Sequence, residues 1–296
     1  MPGSTASPEL GAADPTPGIR IHQGDNLAVL GAMPDSSVAL VYLDPPFNTG
    51  RAQSRSVETA RPGGDDAPAV GAERKGGFRG VAYDRLRGDL RRYDDRFDDY
   101  WGFLEPRLLE AWRVLRDDGT LYLHLDYREA HYAKVMLDAL FGRERFLNEL
   151  IWAYDYGAKS RKRWPTKHDT ILVYVKDPAG YFFDSEAVDR EPYMAPGLVT
   201  PEKAACGKLP TDVWWHTIVP TSGREKTGYP TQKPEGILRR IVQASSRPGD
   251  IVLDPFAGSG TTGAVAHALG RGAWLIDENP EAIGVMRQRI PAAVVV

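Results

Sequence analysis

The sequence predicts an α/β protein with a doubly wound, mostly parallel sheet. Three observations carry this. Val38–Leu43 (VALVYL) and Thr170–Val175 (TILVYV) are continuous apolar runs of strand length, without the alternation of a half-exposed strand, as expected for strands covered on both faces. Segments of helical spacing alternate with such runs along the chain. Breakers close the segments: Asp44-Pro45-Pro46 after the first run, Asp177-Pro178 after the second, and Gly142 after a helical stretch.

Taken in order, Ile19–Gln23 predicts a short strand and Asp25–Gly31 a short helix. Residues 98–116 hold Trp101, Leu104, Leu108, Leu109, Trp112 and Leu115 at helical spacing. The Asp118-Gly119 turn leads into a strand, Thr120–Leu125, and then a helix, Tyr127–Phe141. Near the end, Ile237–Ser245 reads as helix, Ile251–Leu253 as strand, Thr261–Leu269 as helix, Ala273–Ile276 as strand and Pro280–Arg289 as helix. Two stretches break this rhythm. Asn48–Asp95 is rich in Gly and Arg and poor in large apolar residues, which predicts a functional or disordered loop. Asp177–Tyr229 is Pro-rich and irregular around Trp214-Trp215-His216, and reads as an insertion on the functional edge. The expected division is a disordered tail (1–18), a first half (19–176) with a mobile loop at about 51–95, the insertion (177–230) and a second half (231–296).

A chain of 296 residues can bury a large core, and 42% apolar with 26% charged residues is ordinary for a soluble domain. No apolar run approaches the roughly 20 residues that span a membrane, and the Pro-, Gly-, Ala- and Ser-rich start lacks the basic and apolar parts of a signal peptide. The single cysteine, Cys206, excludes an intrachain disulfide, favours a reducing cytoplasmic location, and reads as a buried or idle thiol. A net charge of -3 requires any nucleic-acid surface to be a local patch. The six histidines show no paired ligand spacing, so no metal is expected.

Gly258-Ser259-Gly260-Thr261-Thr262-Gly263 satisfies the pattern G-x-G-x-x-G, with Asp277 at the end of the following strand. A dinucleotide is disfavoured, because too little chain follows the loop to complete a dinucleotide fold. Asp254, just before the loop, suits a cationic cofactor such as S-adenosyl-L-methionine better than a pyrophosphate. A tight strand-to-helix turn is the plainer alternative. Asp277 would accept from ribose hydroxyls; Asn279 reads first as a helix N-cap with Pro280 at the first helical position. Asp25 either caps the helix that follows it or touches the cofactor's adenine.

In Asp44-Pro45-Pro46-Phe47, the Asp44 carboxylate and the Pro45 carbonyl can accept the two N–H bonds of an exocyclic base amine. Its lone pair, otherwise delocalised into the ring, is then drawn out of plane. The prolines fix φ and hold the acceptors in place. Phe47 offers a stacking face for a flipped base. Alone, the tetrapeptide reads first as a Pro-rich turn at a strand end; the second motif and its spacing reverse that balance.

In this order the motifs resemble the β-group of S-adenosylmethionine-dependent DNA amino-methyltransferases of restriction–modification type. The resemblance rests on the Gly24-Asp25 turn, Leu43-Asp-Pro-Pro-Phe-Asn-Thr-Gly50, Gly119-Thr-Leu-Tyr-Leu-His-Leu-Asp126, Thr231-Gln-Lys-Pro-Glu235 and Asp254-Pro-Phe-Ala-Gly-Ser-Gly-Thr-Thr262. It implies a Rossmann-like sheet, and a cofactor site lined by Asp25, Asp44, Asp254, Phe256, Gly258, Ser259, Gly260, Thr261, Asp277 and Asn279. Thr231 and Lys233 would lie near the cofactor's methionine end. Asp44, Pro45, Pro46 and Phe47 would be catalytic, and the insertion would read the sequence of double-stranded DNA. A homodimer and a cognate restriction endonuclease are the implied partners, in a prokaryotic, nucleoid-associated setting. Phe47 stands where many members have Tyr, which keeps the stacking face and loses the phenol. Asp as the first residue is more typical of N6-adenine enzymes. The blocks Tyr154–Asp169 and Thr211–Pro220 look like a subgroup that includes N4-cytosine enzymes, and the reading leans slightly to cytosine N4.

Lys159, Arg161, Lys162, Arg163 and Lys167 place five cations in nine residues around Trp164, a pattern suited to phosphate contacts, or to a solvated charged loop. Arg85, Arg87, Arg91 and Arg92 form a weaker cluster among aspartates. Trp214 and Trp215 either face the bases or form a small core. Two other readings stand beside this one: an RNA or protein amide methyltransferase, and a DNA-binding subunit that keeps the fold without the activity.

Overall fold

In the computed structural model, residues 18–48, 53–62, 73–76, 82–93, 99–220 and 222–296 are described. The chain runs β1 (Ile19–Gln23), α1 (Asn26–Gly31), β2 (Val38–Leu43), β3 (Gln53–Pro62), β4 (Glu73–Gly76), β5 (Ala82–Tyr93), α2 (Tyr100–Val114), β6 (Leu115–Leu125), α3 (Ala130–Phe141), β7 (Phe146–Ala153) and β8 (His168–Val175). It continues with α4 (Pro201–Cys206), β9 (Val213–Trp215), α5 (Glu235–Ser245), β10 (Ile251–Asp254), α6 (Thr261–Ala268), β11 (Gly272–Asp277), α7 (Pro280–Arg289) and β12 (Val294–Val295). Among the described residues, nine strands form one sheet in the order β12-β1-β11-β10-β2-β6-β8-β7-β9. From β12 to β6 the neighbours are parallel; β8 pairs antiparallel with both β6 and β7, and β9 is parallel to β7.

The apolar runs sit where their composition requires. All six residues of β2 are buried, as are the last seven of β8. Leu40 and Tyr42 belong to a core shared with Ile237, Leu238, Ile241 and Val242 of α5, Val265 and Ala266 of α6, and Ile283 and Met286 of α7. Val41 and Leu43, which point the other way, are equally buried. The doubly covered, mostly parallel sheet expected from the sequence is present.

Pro46–Trp101 forms a second compact unit. Within it, β5 pairs antiparallel with β3 and with β4. The stretch at about 51–95, expected as a loop, thus holds strands at these three places. Their strands carry Arg, Asp and Gly instead of an apolar stripe, so the sequence offers no period-two signal. The side chains of Arg85, Arg87, Arg91 and Arg92 lie outside the described residues, as does the tail 1–17.

Smaller differences have physical causes. Helix α2 buries Leu104, Leu108, Ala111 and Val114, while Leu109 is exposed and Leu115 already belongs to β6. The Asp118-Gly119 turn is an irregularity inside β6: Val38 pairs Leu115 but Leu40 pairs Thr120, so the extra residues bulge out. Arg116 ties this bulge to Asp118 and Asp250. β7 exposes Asn148 and Glu149 at its middle, and β9, the edge strand, is only three residues long; neither has the uninterrupted apolar run or clean alternation that marks a strand in the sequence. Cys206 is exposed at the end of α4, not buried.

Gly260 precedes α6 with φ +71, and a Cβ there would lie 2.7 Å from Met286 Cγ. Gly270 has φ +74 but open space around it. Both substitutions to Ala meet left-handed strain, and only the first also meets the core. Gly260→Ala is expected to cost about 1–3 kcal/mol more than Gly270→Ala in urea unfolding; equal costs would show that the Met286 contact relaxes freely.

Candidate active site

β2 and β10 are adjacent parallel strands, with Leu40 opposite Val252 and Val41 opposite Leu253. Their carboxyl ends therefore deliver Asp44 and Asp254 side by side. From this pair the sheet runs to β6 on one side and β11 on the other, which makes it a topological switch point.

One residue ties the two strand ends together. Lys233 Nζ donates to Asp44 Oδ2, with the side chains only 11% and 16% exposed. The Lys233 backbone carbonyl accepts from Thr261 Oγ1 at 3.0 Å. The turn that carries Lys233 is held by Gln232, whose Oε1 accepts from Thr227 N and Oγ1 and whose Nε2 donates to the Glu225 carbonyl. Thr231 is left-handed at φ 59, an unusual conformation for a β-branched residue. Among the described residues, Asp44 Oδ1 is buried with no hydrogen-bond partner, 3.9 Å from His124 Nδ1.

The glycine loop is organised by acidic side chains. Asp254 Oδ1 accepts from Phe256 N at 3.0 Å, and Oδ2 from Thr262 Oγ1 at 2.5 Å. Burial pushes the Asp254 carboxyl up to about 7, against the pull of those two hydrogen bonds and with the charges of Asp44 and Asp277 adding to the rise. Asp277 Oδ2 accepts from Gly258 N and Oδ1 from Asn279 N; burial raises its carboxyl too. Asn279 caps α7 through Glu281 N. Ser259 is buried, its hydroxyl 3.0 Å from that of Thr261, and Arg289 clasps Thr261 Oγ1 and Glu235 from below.

A second latch joins the first loop to the glycine loop. Asn26 Nδ2 donates to the Pro255 carbonyl at 2.8 Å, and Arg107 donates to Asn26 Oδ1 and to Asp25 Oδ1. Asp25 also caps α1 through Leu27 N. The Phe103 and Phe256 rings lie 6.1 Å apart, with the Arg107 guanidinium over Phe103. Behind Asp44 lies a buried polar chain. His124 Nδ1 is 2.7 Å from Tyr42 Oη and Nε2 is 3.2 Å from Asp169 Oδ2, while Tyr154 Oη donates to Asp169 Oδ1.

The β7–β8 connection rises from the same sheet end, closed by Tyr154 N to the Lys167 carbonyl. Lys159, Arg161, Lys162 and Arg163 are exposed on it, Trp164 is 94% exposed, and Lys167 bends back to the Asp155 carbonyl. Trp214 is buried and Trp215 is exposed, so the pair is split between core and surface. Asp25, Asp44, Pro45, Lys233, Asp254, Phe256, Gly258, Ser259, Gly260, Thr261, Asp277 and Asn279 thus sit on strand ends and turns at the same sheet edge. Pro46 and Phe47 open the second unit. Asn26, Arg107, His124 and Asp169 went unremarked as site residues. The available signal was His124, a polar group inside an apolar strand, which demands buried partners.

A doubly wound sheet with two acidic strand ends and a glycine loop at its switch point defines a Rossmann-like methyltransferase. The model of a DNA methylase family, N6_N4_Mtase, matches residues 38–288, and the chain belongs to that family of N6 and N4 amino-methyltransferases. The chain is 32% identical over 281 residues to the DNA adenine methyltransferase YhdJ of Escherichia coli (strain K12), covering 92% of this chain and 83% of that one. Its fold matches the M1.HpyAVI–SAM complex (TM-score 0.57, 20% identity, 92% of this chain and 98% of that chain). It also matches the cytosine-N4-specific PvuII DNA methyltransferase (TM-score 0.60, 15% identity, 93% and 87%).

Asp254 gives a pH test. Its folded pKa near 7 lies above the roughly 3.9 of an unfolded aspartate, so folding favours the protonated form. Its stabilising effect is complete below about pH 4 and is lost as pH rises through 7. Asp254→Asn keeps the size and removes the charge. Its stability relative to the parent should rise with pH by up to ~1.4 kcal/mol per unit, on the order of 4 kcal/mol between pH 4 and 7.5. Parallel urea-unfolding profiles for the two proteins would refute a buried titration at this position.

Proposed function

We propose that this DNA amino-methyltransferase moves a methyl group from S-adenosyl-L-methionine to the exocyclic amine of a base flipped out of double-stranded DNA, and that Asp44 and Pro45 hold that amine. The observation that carries the assignment is Asp44 Oδ1, a buried carboxylate oxygen without a hydrogen-bond partner among the described residues, beside the glycine loop. The loop fits the cofactor. Asp44 and Asp277 both raise the cost of ionising buried Asp254, so a cation is welcome there and a pyrophosphate is not. Left-handed Gly258 (φ 50) and Gly260 (φ 71) turn the loop tightly into α6. Thr231 and Lys233 are assigned to its methionine end and Asp25 to the adenosine side. The cofactor supplies an electrophilic methyl on a sulfonium.

The chain's own residues do the remainder. Lys233 holds Asp44 Oδ2, which leaves Oδ1 to accept one amine N–H while the Pro45 carbonyl accepts the other. The nitrogen lone pair would leave ring conjugation and take the methyl in line as the carbon–sulfur bond breaks to a neutral thioether; the positive charge that grows on nitrogen would face the Asp44 carboxylate until the surplus amine proton is lost. A stacking role for Phe47 rests on the tetrapeptide itself. The β7–β8 hairpin grips phosphates through Lys159, Arg161, Lys162, Arg163 and Lys167, with Trp164 beside the bases, and residues 177–230 contribute to sequence reading. Assembly as a homodimer, a cognate endonuclease and a nucleoid-associated location belong to this reading through the family resemblance.

For the base, adenine N6 is the preferred target. Asp44 as the first residue of the tetrapeptide favours it, and the relative at 32% identity is named an adenine methyltransferase. This moves away from the slight lean to cytosine N4, which remains the second reading on the strength of the blocks Tyr154–Asp169 and Thr211–Pro220. Mass spectrometry of nucleosides from DNA of expressing cells separates N6-methyladenine from N4-methylcytosine.

Asp44→Ala should lower kcat at least 10²–10³-fold, roughly the cost of losing one preorganised charge-stabilising group, while calorimetry still shows cofactor binding. Retained turnover in that variant would remove Asp44 from the chemistry. For the hairpin, the pair Lys162→Ala and Arg163→Ala should weaken binding to all duplexes alike. It should also flatten the log K against log salt slope by about 1.8, roughly 0.9 per lost phosphate contact; an unchanged slope would place the hairpin away from the phosphates.

A further inference from the structure

His124 is wholly buried on β6, yet the methyl transfer described above does not use it. Its surroundings fix its protons. Asp169 faces Nε2 with a carboxylate oxygen at 3.2 Å. Burial alone would raise that carboxyl, but His124, Lys233 and Tyr154 together hold it below the usual range. An ionised carboxylate only accepts, so Nε2 carries the proton. Nδ1 then presents a lone pair, and Tyr42 Oη, 2.7 Å away, is the donor to it. Tyr42 keeps its proton because burial, then Asp44, Asp254 and Asp169, push its ionisation well above the ordinary range.

The consequence falls on Asp44. Its open oxygen, Oδ1, is 3.9 Å from the same Nδ1. With a lone pair on Nδ1 the two acceptors cannot bond, and Oδ1 stays open. With a proton on Nδ1, the ring edge would face a carboxylate at the distance of a small side-chain rotation, and the imidazolium would capture Oδ1.

We propose that His124 is a positioning residue for Asp44: Asp169 and Tyr42 lock its tautomer so that Nδ1 does not compete for Asp44 Oδ1, and protonation of Nδ1 shuts the site to the base amine. The inference rests on the assignment of Asp44 Oδ1 as amine acceptor. Among the groups that face the ring are Tyr42 and Asp44 from β2 and its end, Asp169 from β8, and Trp152 from β7, whose ring meets it edge-on. Tyr154 and Lys233 act on it through Asp169, and Asp126 at the end of β6 interacts with Asp169 as well.

The test uses the full chain labelled with 15N-histidine. Long-range 1H–15N spectra distinguish the two neutral tautomers from imidazolium, and His124→Gln identifies the signals. At pH 7.5 the Nε2-protonated neutral form is expected. The acid limb of kcat should then move in opposite directions in two near-isosteric variants. Tyr42→Phe removes a donor to the neutral ring and should shift the limb to higher pH; Asp169→Asn removes the charge that favours imidazolium and should shift it lower. A general structural role for these residues would lower activity without opposed shifts. A ring protonated at Nδ1 at pH 7.5, or two variants sharing the parent's acid limb, would overturn the proposal. If the parent transfers no methyl group to DNA, the functional reading fails, while the spectrum still decides the tautomer.

Discussion

Lys233 is the constraint on which the site depends. Its ammonium holds one oxygen of Asp44, and its carbonyl holds the Thr261 hydroxyl in the glycine loop. A buried ion pair of this kind adds little net stability, because both charges lose water on burial. Its value is positional. Removing one partner would leave a buried charge, at a cost of about 3–5 kcal/mol, so the pair stays formed and the geometry stays fixed. The second Asp44 oxygen is then available because the first is occupied.

The electrostatics follow from the same packing. Asp44 and Asp254 end neighbouring parallel strands, and Asp277 ends the next, so the sheet concentrates negative charge at one edge. The loop spends part of that charge on its own backbone, through Phe256 N, Gly258 N and Asn279 N, and on the Thr262 hydroxyl. What remains favours a cation. A polyanion such as DNA must be met elsewhere, and the cations are clustered on the β7–β8 hairpin. A net charge of -3 is thus compatible with nucleic-acid binding because the two signs are separated along the sheet edge.

The sequence made the strands of the parallel centre legible because burial on both faces leaves an uninterrupted apolar run, as in VALVYL. It made the glycine loop and the caps legible because left-handed backbone and orphan helix N–H groups demand particular residues. Asn279 illustrates this: its cap is local, two residues long. The partners of His124 were not legible, since Tyr42 and Asp169 are 82 and 45 residues away and meet only through strand order. Arg107 was hidden for the same reason, in a helix whose apolar stripe was visible but whose polar reach was not. The strands of the second unit were missed because charged residues alternate there with other charged or small ones.

The antiparallel departure of β8 from an otherwise parallel plan explains why the cationic hairpin proposed to meet DNA can sit beside Asp44 and the glycine loop at all. A parallel continuation after β7 would require a crossover helix, which covers a sheet face and contributes no tip at the edge. Reversal lets a short hairpin join β7 to β8, and its turn necessarily falls at the end where β6 and β7 finish. β9 pairs parallel with β7, so exposed Trp215 ends on that side too. Two antiparallel pairings therefore turn the glycine-loop edge into one that also presents cations and an aromatic face, without any change to the six parallel strands that carry the glycine loop and Asp44.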